Sequence, residues 1–311
     1  MNSIAVIGAG AWGCALAIHL ARAGHGVTLW ARDPASAGHR LPGHKLPPGV
    51  AVTAALPDTP QDAVLLAVPA QHLRSVAARL RPVGPFVACA KGIERGTLRL
   101  PLEILAELHP GHPAAVLGGP NFAHEVAAGL PAAAAVGCAD PELRPRLVDV
   151  LGGGALRLYG NDDPLGVQLG GAAKNVIAIA AGVVAGAGLG ENARAALVTR
   201  GVAELSRLIV ALGGAAHTAA GLSGLGDLLL TCTGNASRNF QAGLALGRGR
   251  SAAPDPHGPV VEGVATAPAL IARARGIELP ICAAVAALLE GRLTVPGAIA
   301  ALMRRPVRDE D

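Results

Sequence analysis

Lys174 is the only charged residue between Asp163 and Glu191, and Asp227 is the only formal charge between Arg207 and Arg238. Each lies in a run of small and aliphatic residues, "GGAAKNVIAIAAG" and "GLSGLGDLLLTCT". Helices of that composition are buried on most faces, and an isolated buried charge is costly. Two lone opposite charges therefore suggest a pair. A lysine held in this way can donate or accept a proton at a carbonyl or alcohol oxygen. The plainer alternative has Lys174 reaching out to solvent and Asp227 capping a helix. Spacing alone does not separate the two.

A second constellation opens the chain. "IAVIGAGAWGCALAIHLARAGHGVTLWARD", Ile4 to Asp33, places Gly8, Gly10 and Gly13 in G-x-G-x-x-G spacing, with Ala11 and Trp12 between them. In a chain with 42 glycines the bare pattern is weak, so its flanks decide. A short apolar run leads into Gly8, and Trp12–Ala23 continues with helical periodicity. That is the context of a dinucleotide loop: Gly8 for a tight turn, Gly10 for close approach of a pyrophosphate, Gly13 for helix–strand packing. The pyrophosphate would rest on the helix N-terminus. At the end of the next strand Arg32 precedes Asp33. An Arg there can accept the 2′-phosphate of NADP, whereas an acid favours NAD, so the pattern leans to NADPH with NADH open. An ordinary surface Arg–Asp pair is the alternative.

Three further groups could bind an anion. Lys91 closes "FVACAK" and would face the crevice outside the strand ends, unless it is a solvated loop lysine. "GGPNFAHE", Gly118 to Glu125, follows a strand and opens a helix, offering backbone N–H groups. "NASRNF" puts Ser237, Arg238 and Asn239 before a helical stretch, Gln241–Leu246. That is either a phosphate or carboxylate grip or a helix cap with a surface arginine.

The elements that must position these groups change in texture along the chain. Ile4–Ile7, Val27–Trp30, Ala63–Val68, Phe86–Ala90, Ala115–Leu117, Ala132–Val136 and Leu156–Tyr159 read as strands. Gln71–Leu80, Leu98–His109 and Glu142–Leu151 read as helices between them. Such alternation implies an α/β, mostly parallel, doubly wound sheet of Rossmann-like type over residues 1–164. Asp162 and Asp163 before Pro164 make a helix start. From 165 to 311 the sequence reads as all-α, with Gly247 to Pro259 as an exposed loop. The composition allows two domains with a large core: 311 residues, 51% hydrophobic and only 2% aromatic.

A net charge of +4 without an aromatic-interleaved basic run argues against nucleic acid and for small anions. Cys14, Cys89, Cys138, Cys232 and Cys282 are dispersed in apolar stretches. They read as buried, reduced thiols of a cytoplasmic protein, with no zinc site. No signal peptide or membrane span is expected, and Val176–Gly190 reads as a buried core helix.

Taken together, "IGAGAWGCALA", "LWARD", "LLAVPAQ", "CAKGIE", "GGPNFAHE", "GVQLGGAAKNVIAIAAG", "NARAALVTRG", "GLGDLLLTCT", "SRN" and "VVEG" resemble the bacterial NAD(P)-dependent glycerol-3-phosphate dehydrogenase family. They follow its order over nearly the whole chain. The resemblance implies reversible reduction of dihydroxyacetone phosphate to sn-glycerol 3-phosphate, feeding glycerophospholipid synthesis. It implies Lys174 as proton donor and acceptor, with Asp227 orienting it. Lys91, Gly119, Asn121, Lys174, Asp227, Ser237, Arg238 and Asn239 would meet the substrate. Trp12, Arg32, Lys91, Ala123, Arg238, Val260 and Glu262 would line NADPH or NADH together with the opening loop. A homodimer is compatible with the Ala-rich second half.

Four positions depart from the family pattern. Ala11 removes a hydroxyl from the loop, and Asn121 stands where Ser or Thr is usual. The stretch Asp33–Pro48 is short, and Phe240 and Gln241 follow "SRN" where bases are common. Two other readings are a sibling dehydrogenase acting on a 3-hydroxy acid or sugar acid, and a non-catalytic dinucleotide sensor.

Overall fold

The computed structural model describes residues 1–234, 236–250 and 260–306. They cluster into two compact units, one of Met1–Lys91 with Leu100–Val167, the other of Gly92–Arg99 with the described residues from Gln168 onward.

In the first unit, strand β1 (Ser3–Ile7) is buried on both faces. Ile4 and Val6 enter one core layer, and Ala5 and Ile7 the other. A strand without a polar face needs helices on both sides, which is the condition for an α/β sandwich. The remaining strands are β2 (Gly26–Trp30), β3 (Val50–Thr53), β4 (Ala63–Leu66), β5 (Phe86–Ala88), β6 (Ala114–Gly118), β7 (Ala132–Gly137) and β8 (Leu156–Asn161). Their order is β3-β2-β1-β4-β5-β6-β7-β8. Only the β6–β7 pair is antiparallel. Helices α1 (Ala11–Arg22), α4 (Ala123–Ala128) and α5 (Leu143–Leu151) cover one face; α2 (Ala70–Ala77) and α3 (Pro101–Leu108) cover the other. Strand order reverses between β1 and β4, so the ligand crevice of such a sheet lies outside the carboxyl ends of those two strands.

The structure corrects the sequence reading in several places. β3 was not expected, because "VAVT" is a short edge strand with partly exposed residues. Its signal was the alternation of Val50 and Val52. β5 stops at Ala88, so Lys91 sits on the loop beyond the strand instead of closing it. The helix expected from Leu98 begins at Pro101, and Leu98 has φ +59°. Pro101 disfavours a helical residue before it, and Glu103 completes the start by accepting from the Leu100 N–H at 2.7 Å.

Helix α6 (Pro164–Gly186), whose first turn to Val167 belongs to the first unit and the rest to the second, begins where the two aspartates and the proline predict, with the Asp163 carboxylate accepting from the Gly166 N–H at 2.8 Å. It is followed by α7 (Gly190–Ala211), a π-turn at Leu222–Gly226, α8 (Asp227–Thr233), α9 (Arg238–Gly247), α10 (Glu262–Arg273), α11 (Pro280–Leu289) and α12 (Val295–Met303). No strand follows Asn161 among the described residues. α9 starts ahead of the expected Gln241 because Ser237 caps it. Gly247 closes that helix, and positions 251–259 of the expected loop lie outside the described residues. α6 is apolar and long enough to cross a membrane, but 89% of its most apolar window is buried in protein.

α6 and α9 meet through two facing glycine pairs. A Cβ on Gly182 would lie 2.1 Å from the Phe240 carbonyl oxygen, and one on Gly243 would lie 1.9 Å from that of Ile179. Gly186 and Gly247 repeat the contact one turn further along. The two backbones touch, and no side chain fits between them. Elsewhere, buried Glu204 of α7 caps α11, accepting from the N–H groups of Ile281 at 2.6 Å and Cys282 at 3.2 Å.

Two predictions follow from this packing. Gly182→Ala and Gly243→Ala each cost about 1–3 kcal/mol or more in urea unfolding, whereas Gly49→Ala, in open space, changes little. In the first unit, His19 of α1 is buried with its Nε2 3.0 Å from the Leu151 carbonyl oxygen. Burial holds its pKa below the ordinary 6.5, against the pull of that carbonyl and with help from His25 and Arg22. The native state thus binds fewer protons than the unfolded chain, so this contribution is complete above pH 6.5 and lost as pH falls through the depressed value. His19→Gln flattens the fall in stability between neutral and mildly acidic pH, as measured by unfolding at several pH values.

Candidate active site

In the first unit the glycine loop joins β1 to α1. Gly8 has φ +113°, and a Cβ there would strike the Ala67 carbonyl oxygen beyond β4 at 2.7 Å. A Cβ on Gly13 would fall 1.8 Å from the Gly8 carbonyl oxygen. Both glycines are therefore demanded by the protein itself, at the reversal point of the sheet. Gly10 differs, since a Cβ there would meet nothing within 4 Å. It is the N-cap of α1, whose first turn has neither a capping side chain nor an acidic residue. The amides of Ala11, Trp12 and Gly13 open a helix dipole toward that space, the arrangement a diphosphate requires. A dinucleotide fits here.

At the end of β2, Trp30 is buried and Arg32 exposed. The Asp33 carboxylate accepts from the Ala35 N–H at 3.1 Å and caps a short 3-10 turn. Across the sheet the Lys91 ammonium donates to the Gly119 carbonyl at 2.9 Å. Gly119 has φ +144° and stands against Ala134, which fixes that carbonyl. Asn121 spends its amide on the Ala133 carbonyl at 3.1 Å, and Ala123 begins α4. Cys89, beside Lys91, is fully buried and its thiol is pushed up to about 12 by burial despite that cation.

In the second unit the two lone charges meet. Lys174 Nζ lies 2.9 Å from Asp227 Oδ1, with both side chains almost wholly buried. It also donates to Thr231 Oγ1 at 2.9 Å. That hydroxyl lies 2.5 Å from the Asp227 carbonyl oxygen and 3.3 Å from Oδ1. Thr231 was missed by the sequence reading. Its signal was the i,i+4 spacing from Asp227, which places both on one face of α8. Gly170 lets the π-turn before α8 lie against α6, since a Cβ there would reach the Ser223 carbonyl oxygen at 2.5 Å. Cys232 in the same helix is held protonated, pushed up to about 12 by burial against the pull of Lys174. That leaves the thiol out of proton transfer at neutral pH.

Ser237, Arg238 and Asn239 divide their tasks. Ser237 Oγ accepts from the Phe240 N–H at 3.2 Å, and Arg238 is exposed on the first turn of α9. Asn239 is buried, its amide donating to Asn175 Oδ1 at 2.8 Å and its oxygen accepting from the Gly263 N–H at 2.9 Å. This carboxamide ties α6, α9 and α10 together. Asn175, next to Lys174, was also missed, and its neighbour was the only clue. Val260 is exposed just before α10, and Glu262 is that helix's first residue.

A glycine cradle at the reversal point of a doubly wound sheet, followed by a helical unit built around a buried lysine–aspartate pair, defines a two-domain, dinucleotide-dependent dehydrogenase. Residues 3–144 match the family model described as NAD-dependent glycerol-3-phosphate dehydrogenase N-terminus, and residues 163–300 match that described as its C-terminus. The chain belongs to the NAD-dependent glycerol-3-phosphate dehydrogenase family. It is 57% identical over 317 residues to glycerol-3-phosphate dehydrogenase [NAD(P)+] of Acidiphilium cryptum, covering 98% of each chain. It is 54% identical to that of Bradyrhizobium sp. strain BTAi1, covering 100% of this chain and 99% of the relative. Among solved structures, glycerol-3-phosphate dehydrogenase from Coxiella burnetii superposes with a TM-score of 0.90 at 36% identity, over 98% of this chain and 99% of the other.

The buried pair makes its own prediction. Asp227→Asn removes the counter-charge of a buried ammonium and costs about 3–5 kcal/mol in unfolding free energy. Lys174→Met combined with Asp227→Leu costs less than the sum of the single changes, because no charge is stranded.

Proposed function

We propose that this chain reduces dihydroxyacetone phosphate to sn-glycerol 3-phosphate with NADPH or NADH, reversibly, and so supplies glycerophospholipid synthesis in the cytoplasm. The observation that carries the reading is the buried Lys174–Asp227–Thr231 cluster in a chain of this family. The nicotinamide, when bound, supplies hydride to the ketone carbon. Lys174, as an ammonium, stabilises the charge that builds on the ketone oxygen and delivers a proton from Nζ; as an amine it takes one back in the reverse direction. Asp227 balances the ammonium, and Thr231 fixes its direction. Arg238 holds the substrate phosphate by charge-assisted hydrogen bonds, and Lys91 is a further substrate contact, with Gly119 and Asn121 on the loop beside it. Ser237 and Asn239 set the start of α9 from which Arg238 projects.

Gly8, Gly10, Ala11, Trp12 and Gly13 receive the pyrophosphate, with Ala123, Val260 and Glu262 further along the cofactor. Asp33 gives one carboxylate oxygen to the turn it caps, and Arg32 stands exposed beside it as a group to meet the ribose, which favours NADPH with NADH open. A homodimer is the assembly we propose, through the helical half.

The test is loss of reduced-nicotinamide absorbance with dihydroxyacetone phosphate and each cofactor. Wild type turns over with both, faster with NADPH. Lys174→Met lowers kcat by about 10²–10⁴ with cofactor affinity kept. Arg32→Ala raises KM for NADPH about ten-fold and leaves NADH nearly unchanged. Cofactor binding without turnover in the wild type overturns the assignment.

A further inference from the structure

We propose that Arg273 is a positioning residue for Lys91, acting through the loop Gly92–Arg99; the proposal rests on the reading of Lys91 as a substrate contact. Gly92–Arg99 interrupts the first unit in sequence yet clusters with the second. It leaves Lys91 through Gly92 and the fully buried Ile93 to Glu94, whose side chain is also buried. There the chain closes on itself. The Glu94 N–H donates to the Arg99 carbonyl at 2.9 Å, and the Leu98 N–H donates to the Glu94 carbonyl at 3.0 Å. Thr97 Oγ1 adds a bond to the Glu94 carboxylate.

This closure requires Leu98 at φ +59°, the only non-glycine residue at positive φ among those described. A leucine does not hold that backbone unaided, and local strain persists only where the surroundings over-determine it. Arg273 supplies the restraint, donating from Nη1 to the Leu98 carbonyl at 2.7 Å across 175 residues of sequence. It is the last residue of α10, whose other end is tied at Gly263 to Asn239. One helix therefore carries both attachments. Pinning Leu98 pins Glu94, and Glu94 leaves Lys91 little freedom to depart from its bond to Gly119.

Wild type, Arg273→Ala and Arg273→Lys are compared in steady-state kinetics and in hydrogen exchange of the Gly92–Arg99 amides. Arg273→Ala raises KM for dihydroxyacetone phosphate about five-fold or more with kcat altered less than about two-fold, and its Glu94 and Leu98 amides exchange faster. Arg273→Lys recovers part of the KM, because an ammonium still donates to the Leu98 carbonyl. Unchanged exchange in Arg273→Ala overturns the clasp. Faster exchange with KM unchanged overturns the positioning role, as does a loss of melting temperature and active fraction at constant KM. Absence of turnover in the wild type overturns the functional reading and the positioning role together, whereas the preceding outcomes overturn the positioning role alone.

Discussion

An ammonium group buried in a helix of small apolar residues is the constraint on which the second unit is organised. Removing a charge from water costs several kcal/mol even after relaxation, and Lys174 has no other charge in its own helix to offset it. The counter-charge must come from another element at hydrogen-bond distance, with its remaining lone pairs satisfied. Asp227 and Thr231 meet that demand from successive turns of α8. α8 can take that position because Gly170 admits the π-turn against α6. Composition serves the charge: the glycines and alanines that make α6 look like a membrane span let its neighbours come close enough to supply partners.

The same economy of side-chain volume governs α9. Gly182, Gly186, Gly243 and Gly247 bring two backbones into contact, and that contact sets the height at which Ser237, Arg238 and Asn239 begin the helix. The Asn175–Asn239–Gly263 bonds then lock α6, α9 and α10 in one register. In the first unit the constraint is steric in a different sense. Gly8 and Gly13 are required by protein contacts, but Gly10 borders open space above an uncapped helix start. That division separates the glycines that build the loop from the one that leaves room for a ligand.

Much of this was legible in the residues. Short apolar, often β-branched runs alternating with helical patterns and the Asp-Asp-Pro helix start located most of the sheet and the beginning of α6, because both signals are local. The Lys174–Asp227 pair was legible as an open alternative, since two lone charges in apolar runs have few other ways to be satisfied. What escaped were features decided by distant partners. β3 has weak local signal and exists as an edge partner of β2. Leu98 reads as a helix residue until Pro101 and Arg273 are placed around it. Asn239 stands out by its position beside Arg238, but only the fold shows its carboxamide joining Asn175 to Gly263. Thr231 and Asn175 carry no charge to draw attention, and only the fold shows them beside the residues that do.

The central claim is that the buried Lys174 amine moves the proton. Chemical rescue tests it most directly: Lys174→Ala is assayed with dihydroxyacetone phosphate and NADPH in the presence of small primary amines of differing pKa. The account predicts that amines restore turnover in proportion to their concentration and more strongly as their proton affinity approaches that of the lost side chain. Intact cofactor and substrate binding with no response to any amine, or Lys174→Ala turning over at the wild-type rate, would contradict it.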